Sequence, residues 1–208
     1  MGSSLIELKN IEKSYGSSRV LGPISFEVAA GEVVGIIGEN GAGKSTLLRI
    51  IAGVEAQDAG ERLIGGFKPG EIGYVPQELA LYTSLTGKQN MYYWATAVGL
   101  HGRKKRQRCR ELLANVNLTE KADKAVSSYS GGMKRRLNLA CALVGNVRLL
   151  LLDEPTVGAD AHSTELILET LKELKKKNCA VILVSHHMDE IAAVCDRKIR
   201  IESGKMVE

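Results

Sequence analysis

Two hydrophobic periods take turns along the chain. Residues 4–10, SLIELKN, and 24–28, ISFEV, alternate apolar and polar side chains, which predicts half-buried antiparallel strands. Residues 33–37, VVGII, are apolar throughout, as a strand covered on both faces requires. STLLRIIAG, residues 45–53, has helical spacing and stops at Gly53, and IGYV at 72–75 predicts a short strand. From about residue 78 to 128 the strand patterns vanish. TGKQNMYYWATAVGL (86–100) and RKKRQRCRELLANVNL (103–118) read as helices parted at Gly99 and Gly102. Alternation then returns. GGMKRRLNLACALVG is a helix, RLLLLD a buried strand and STELILETLKELKKKN an amphipathic helix whose basic last turn suits its dipole. AVILVS is a second buried strand, DEIAAVCD a helix, and RKIRIESGKMVE a hairpin around Ser203-Gly204. This order predicts an α/β fold with a mostly parallel sheet. A small N-terminal antiparallel part and a helical insertion at about 78–145 complete a single domain, 1–208.

Composition narrows the class. A chain of 208 residues fits one domain at about 100–200 residues each. A net charge of +4 and 4% aromatic residues do not point to nucleic acid. No apolar run approaches the roughly 20 residues that span a bilayer. Met1-Gly2-Ser3-Ser4 has no signal-peptide character and reads as a vector-derived remnant. Cys109, Cys141, Cys179 and Cys195 show neither metal nor redox spacing and read as free thiols. The basic run Arg103-Lys104-Lys105-Arg106 reads as a solvated helix face, and Tyr92-Tyr93-Trp94 as core packing or a seat for a partner.

Two stretches carry chemistry. GENGAGKS, Gly38, Glu39, Asn40, Gly41, Ala42, Gly43, Lys44 and Ser45, with Thr46 beside it, fits the phosphate-binding loop. The glycines allow backbone N–H groups to surround an anion, and the following helix adds its N-terminal dipole. Lys44 would reach the β- and γ-phosphates and Ser45 would ligate Mg²⁺. In LLLLDEP, residues 149–155, Asp153 emerges at the carboxyl end of a buried strand, where open α/β sheets bind ligands. Asp153 would hold Mg²⁺, and Glu154 would polarise an attacking water.

These stretches and their order resemble the nucleotide-binding subunit of ATP-binding-cassette (ABC) transporters, over nearly the whole chain. The resemblance implies the ABC ATPase fold, ATP and Mg²⁺ as ligands, and ATP hydrolysis. It places Tyr15 against adenine and Gln77, in YVPQ, at the metal and the attacking water. It makes His186, in LVSHH, the switch histidine, with His187 exposed beside it. YSGGM would be the signature, whose Ser130, Gly131 and Gly132 touch a nucleotide held by a second subunit. Asp160, in VGAD, would lie in a loop at the dimer interface, where Ala159 replaces a larger apolar residue. The implied catalytic set is Glu154, His186, Lys44 and Gln77, with Ser45, Gln77 and Asp153 at the metal. The implied partners are a second cassette, identical or not, and an integral membrane permease. The chain would then be cytoplasmic, on the inner face of the membrane. YSGGMKRRLNLACALV and LLLLDEPTVGAD resemble most the branch that exports antibiotics, peptides and lipids. The segment between Gly53 and Gln77 is short, so a trimmed antiparallel part is expected. The alternative is a soluble ABC ATPase of DNA repair or translation, although the chain has neither a long coiled coil nor two cassettes. A kinase or GTPase fits the signature stretch and motif order less well.

Overall fold

A computed structural model describes residues 4–207. Met1, Gly2 and Ser3, most of the N-terminal stretch read as a remnant, lie outside the described residues, as does Glu208. β1 (Ser4–Tyr15) and β2 (Ser18–Ala29) form a hairpin. β3 (Val33–Ile37) leads through the glycine-rich loop into α1 (Lys44–Ala52), and β4 (Ala59–Ile64) and β5 (Ile72–Val75) follow. α2 (Gly87–Ala97), α3 (Gly102–Asn115) and α4 (Gly131–Ala142) occupy the strand-free stretch, with single 3₁₀ turns at Thr119–Lys121 and Val126–Ser128. β6 (Leu149–Asp153), α5 (Ala161–Lys176), β7 (Ala180–Val184), α6 (Met188–Val194), β8 (Arg197–Glu202) and β9 (Lys205–Val207) complete the chain.

The strands make two sheets. The smaller is antiparallel, in the order β2-β1-β4. The larger runs β5-β6-β7-β3-β8-β9 and is parallel except for the final hairpin. β4 is the element that sequence periodicity misses. AGERLI is almost wholly exposed and lies at a sheet edge, so it carries no buried face to read.

The larger sheet is covered on both faces. Because successive side chains point to opposite sides, the leucine run divides. Leu150 and Leu152 join Val181 and Leu183 in a core shared with Met91 of α2, Leu113 of α3, Leu137 of α4 and Ile167 of α5. Leu149 and Leu151 join Ile182, Val34 and Ile36 in a core shared with α1, β1 and β2. The helical stretch therefore packs on the same sheet as the rest rather than around a core of its own.

Local chemistry sets the helix starts. Thr86 and Gln89 form a reciprocal capping box at α2, Ser130 caps α4 and Asp160 caps α5. Asn90, fully buried, fixes the turn before α2 by bonding Tyr82 N, Tyr82 O and Thr86 O at 2.8–3.0 Å. The aromatic cluster divides. Trp94 is half-buried and donates to Ala80 O at 3.3 Å, whereas Tyr93 is exposed. Among the cysteines, Cys109, Cys141 and Cys179 are buried and all four are free. Burial pushes the thiols of Cys109 and Cys179 up to about 11, which makes them inert at neutral pH.

Arg108, two residues beyond the basic run of α3, has an internal task. Arg108 Nη2 donates to Leu143 O at 2.8 Å and Gly145 O at 3.1 Å, closing the carbonyl end of α4. Removing that cap by Arg108→Ala leaves these carbonyls without their charged donor, at a cost of about 1–3 kcal/mol. Thermal denaturation should show a Tm lowered by about 2–4 °C per kcal/mol, with the nucleotide site intact.

Candidate functional site

The parallel pairing of β6, β7 and β3 aligns their carboxyl ends. Asp153 pairs with Val184, and Ile36 with the same Val184 from the other side. The loop after β3, the acidic pair after β6 and the histidines after β7 therefore emerge side by side. Between them lies a cleft of about 740 Å³. It is lined by Gly38, Glu39, Asn40, Gly41, Gly43, Lys44, Ser45, Thr46, Gln77, Asp153, Glu154 and His186. Val20, Val157 and Val184, to which the motifs assign no chemical role, complete the lining.

The glycine-rich loop forms one wall of the cleft. Gly38 has φ +153°, and a Cβ there would lie 2.1 Å from Ile201 O, so the loop passes against β8 only with glycine at this position. Lys44, buried, spans the loop, with Nζ donating to Gly38 O at 2.7 Å and Glu39 O at 2.8 Å. The ammonium is thus held over the loop at the start of α1, whose first N–H groups have no intrahelical acceptor. Thr46 Oγ1 accepts from Arg49 Nη2 at 3.0 Å. Ala42 is buried and does not line the cleft.

The acidic pair is buried too. Asp153 Oδ1 has no hydrogen-bond partner among the described residues. Burial pushes the Asp153 carboxyl above its ordinary range, against the pull of the Ser45 hydroxyl. Such a carboxylate is complete only with a cation or donor from outside the chain. Glu154 has φ +49°, a left-handed conformation uncommon for glutamate, and its N–H donates to Val184 O at 2.9 Å. Its Oε2 lies 2.9 Å from His186 Nδ1. His186 is half exposed and stacks on His187, with centroids 4.0 Å apart. His187 is exposed, as its position one residue later predicts.

Other sequence-marked residues lie elsewhere. Tyr15 is not in the cleft lining. It is exposed and its hydroxyl donates to Glu55 while accepting from Arg49 Nη2 at 3.3 Å. Asp58, Glu55, Arg49 and Lys13 make this a surface charge network. Ser130, Gly131 and Gly132 are also absent from the cleft of their own chain. Ser130 Oγ accepts from Met133 N at 3.2 Å, and Ser130 and Gly131 are exposed. A Cβ at Gly132 would lie 2.3 Å from Ser163 Oγ and 2.4 Å from Asp160 Oδ2, so the signature sits directly on the start of α5. Asp160 accepts from Ser163 N at 2.8 Å, and these bonds hold its carboxyl below the ordinary range. This capping role is additional to the interface position that the resemblance implies for Asp160.

Comparison with known proteins agrees with the fold. The family model described as ABC transporter matches residues 21–157. The chain is 41% identical to the linearmycin resistance ATP-binding protein LnrL of Bacillus subtilis, over 98% of this chain and 68% of that protein. It is 40% identical to the Nod factor export ATP-binding protein I of Sinorhizobium fredii, over 97% of this chain and 61% of that protein. Among solved structures, it matches a dimeric ATP-binding cassette in a post-hydrolysis state with ADP and Pi. The TM-score is 0.90 at 28% identity, over 98% of this chain and 97% of that one. An ATP-binding subunit of an ABC transporter gives a TM-score of 0.88 at 29% identity, over 98% of this chain and 88% of that one. The likeness in sequence runs through both motif-bearing strands and that in shape through the whole chain, so the chain belongs to the ABC transporter family and is one of its ATP-binding cassettes.

Proposed function

We propose that this chain binds and hydrolyses ATP to power export through a separate integral membrane permease, reached through the Gln77 region and the helical insertion. The observation that carries the reading is the buried acidic pair at the end of β6. Glu154 faces His186 at 2.9 Å, and Asp153 keeps one oxygen free, in the cleft that Lys44 and Ser45 also line. No helix among the described residues is long and apolar enough to cross a membrane, which suits a subunit docked on the cytoplasmic face of one. Relatives named for linearmycin resistance and Nod factor export favour transport over a soluble role in repair or translation.

The donors present fit Mg²⁺. Ser45, Asp153 and Gln77 offer hard oxygen atoms, and no group of three His, Cys, Asp or Glu among the described residues forms a cage of its own. That is the donor set of a cation shared with substrate phosphates. When bound, Mg²⁺ would neutralise charge developing on the β- and γ-phosphate oxygens. The loop would hold the phosphates through its backbone N–H groups and Lys44. Glu154 would orient the attacking water and take its proton, and His186 would donate to the γ-phosphate. Tyr15 would meet the adenine from the edge of the β1–β2 hairpin.

The exposed signature serves a second cassette, identical or not. Each phosphate loop already has its own nucleotide, so Ser130, Gly131 and Gly132 would complete the site of the facing subunit, with Asp160 beside them. Closing and opening of that dimer would move the permease.

Glu154→Gln should lower turnover by about 10²–10⁴ while ATP binding persists. Phosphate release and gel filtration with ATP check this, the expected result being an ATP-trapped dimer; undiminished hydrolysis refutes the role of Glu154. Ser130→Arg should leave ATP affinity of the monomer nearly intact and abolish the ATP-dependent dimer. Collapse of monomer affinity in a nucleotide titration would instead place the signature at its own chain's nucleotide.

A further inference from the structure

The basic stretch after the signature glycines divides its work. Arg136 is buried and turned inward, with Nη1 donating to Val116 O at 2.6 Å and Nε to Ser163 Oγ at 3.2 Å. Arg135 points to the cleft side. Its Nε donates to Val157 O at 2.9 Å and its Nη1 to Gln77 O at 2.6 Å.

These two carbonyls belong to different segments. Gln77 follows β5, and Val157 lies in the loop that follows Glu154. Both residues line the cleft. Val157 N donates to Glu154 O at 3.4 Å, so Val157 and Glu154 share one turn. The guanidinium is a planar fork, and its N–H groups cannot move independently. Two carbonyls on one fork are therefore held at a set separation.

We infer that Arg135 is a positioning residue for hydrolysis: its guanidinium fixes the segment bearing Gln77 against the turn bearing Glu154. The inference rests on the reading of Glu154 as the hydrolytic carboxylate. Arg135 does not line the cleft and bonds no residue of the phosphate loop. Its loss should therefore spare nucleotide capture and impair the chemical step.

Arg135→Met keeps the aliphatic stem and removes both donors, and Arg135→Lys restores a charged donor without the fork. MgATP hydrolysis and nucleotide binding are measured on the full chain, alongside Glu154→Gln. For Arg135→Met, kcat should fall on the order of tenfold, as misplacement of reacting groups predicts. KM and nucleotide Kd should change little, Tm should fall by only the few degrees that two lost carbonyl bonds predict, and Arg135→Lys should recover part of kcat. An unchanged kcat in Arg135→Met, with Glu154→Gln inactive, overturns the role of Arg135 alone. So does a loss of kcat matched by equal loss of nucleotide affinity or of folded protein. Wild-type turnover by Glu154→Gln overturns the underlying reading instead.

Discussion

β7 pairs with β6 on one side and β3 on the other, with Leu183 beside both Leu152 and Gly35. The rest of the site depends on this double pairing. Parallel strands in register end together, so three loops distant in sequence must leave the sheet at one edge. The hydrophobic faces keep the register from slipping. A shift by one residue would send Leu150 and Leu152 to the side of Leu149 and Leu151, and neither core would accept them. The apolar strands are thus the device that sets where Gly38, Asp153 and His186 stand.

The edge so made concentrates buried charge. Lys44, Asp153 and Glu154 are all buried, and burial of ions is costly unless they are paired. The chain pairs some of them by itself: Lys44 with loop carbonyls and Glu154 with His186. Asp153 Oδ1 is left without a partner. The loop backbone offers positive ends and Asp153 offers a negative one, which is the pattern that a nucleotide with its cation would fill. Burial without a ligand and affinity for one are here the same property.

Much of this was legible before any coordinates. Buried strands read as unbroken apolar runs, and the phosphate loop has a spacing set by backbone geometry. β4 was not legible because AGERLI carries neither alternation nor burial. Glu154 could be picked out, but its positive φ could not, since that comes from the turn into which Val184 and Val157 draw it. Tyr15 could be picked out by its place in sequence, but its bonds to Glu55 and Arg49 could not, since they join β1 to α1 and the loop after it, far along the chain. Val20 and Val157 had no chemical mark at all, and only folding makes them walls of the cleft.

The signature acquires its meaning from what lies beneath it. Gly132 leaves no room between α4 and the Asp160–Ser163 turn, and a Cβ on Gly131 would lie 2.8 Å from Gly158 O. The exposed end of α4 is therefore seated on the segment that runs back through Val157 to Glu154. Arg135, one turn along α4, joins that segment to Gln77. A ligand pressing on Ser130 from outside would push on a packed unit, not on a free loop, because close-packed elements move as bodies. The outward face of α4 and the inward face of the cleft are thus joined by the close seat of the glycines and by the bonds of Arg135. A push on the exposed end of α4 would therefore bear on the turn that carries Glu154.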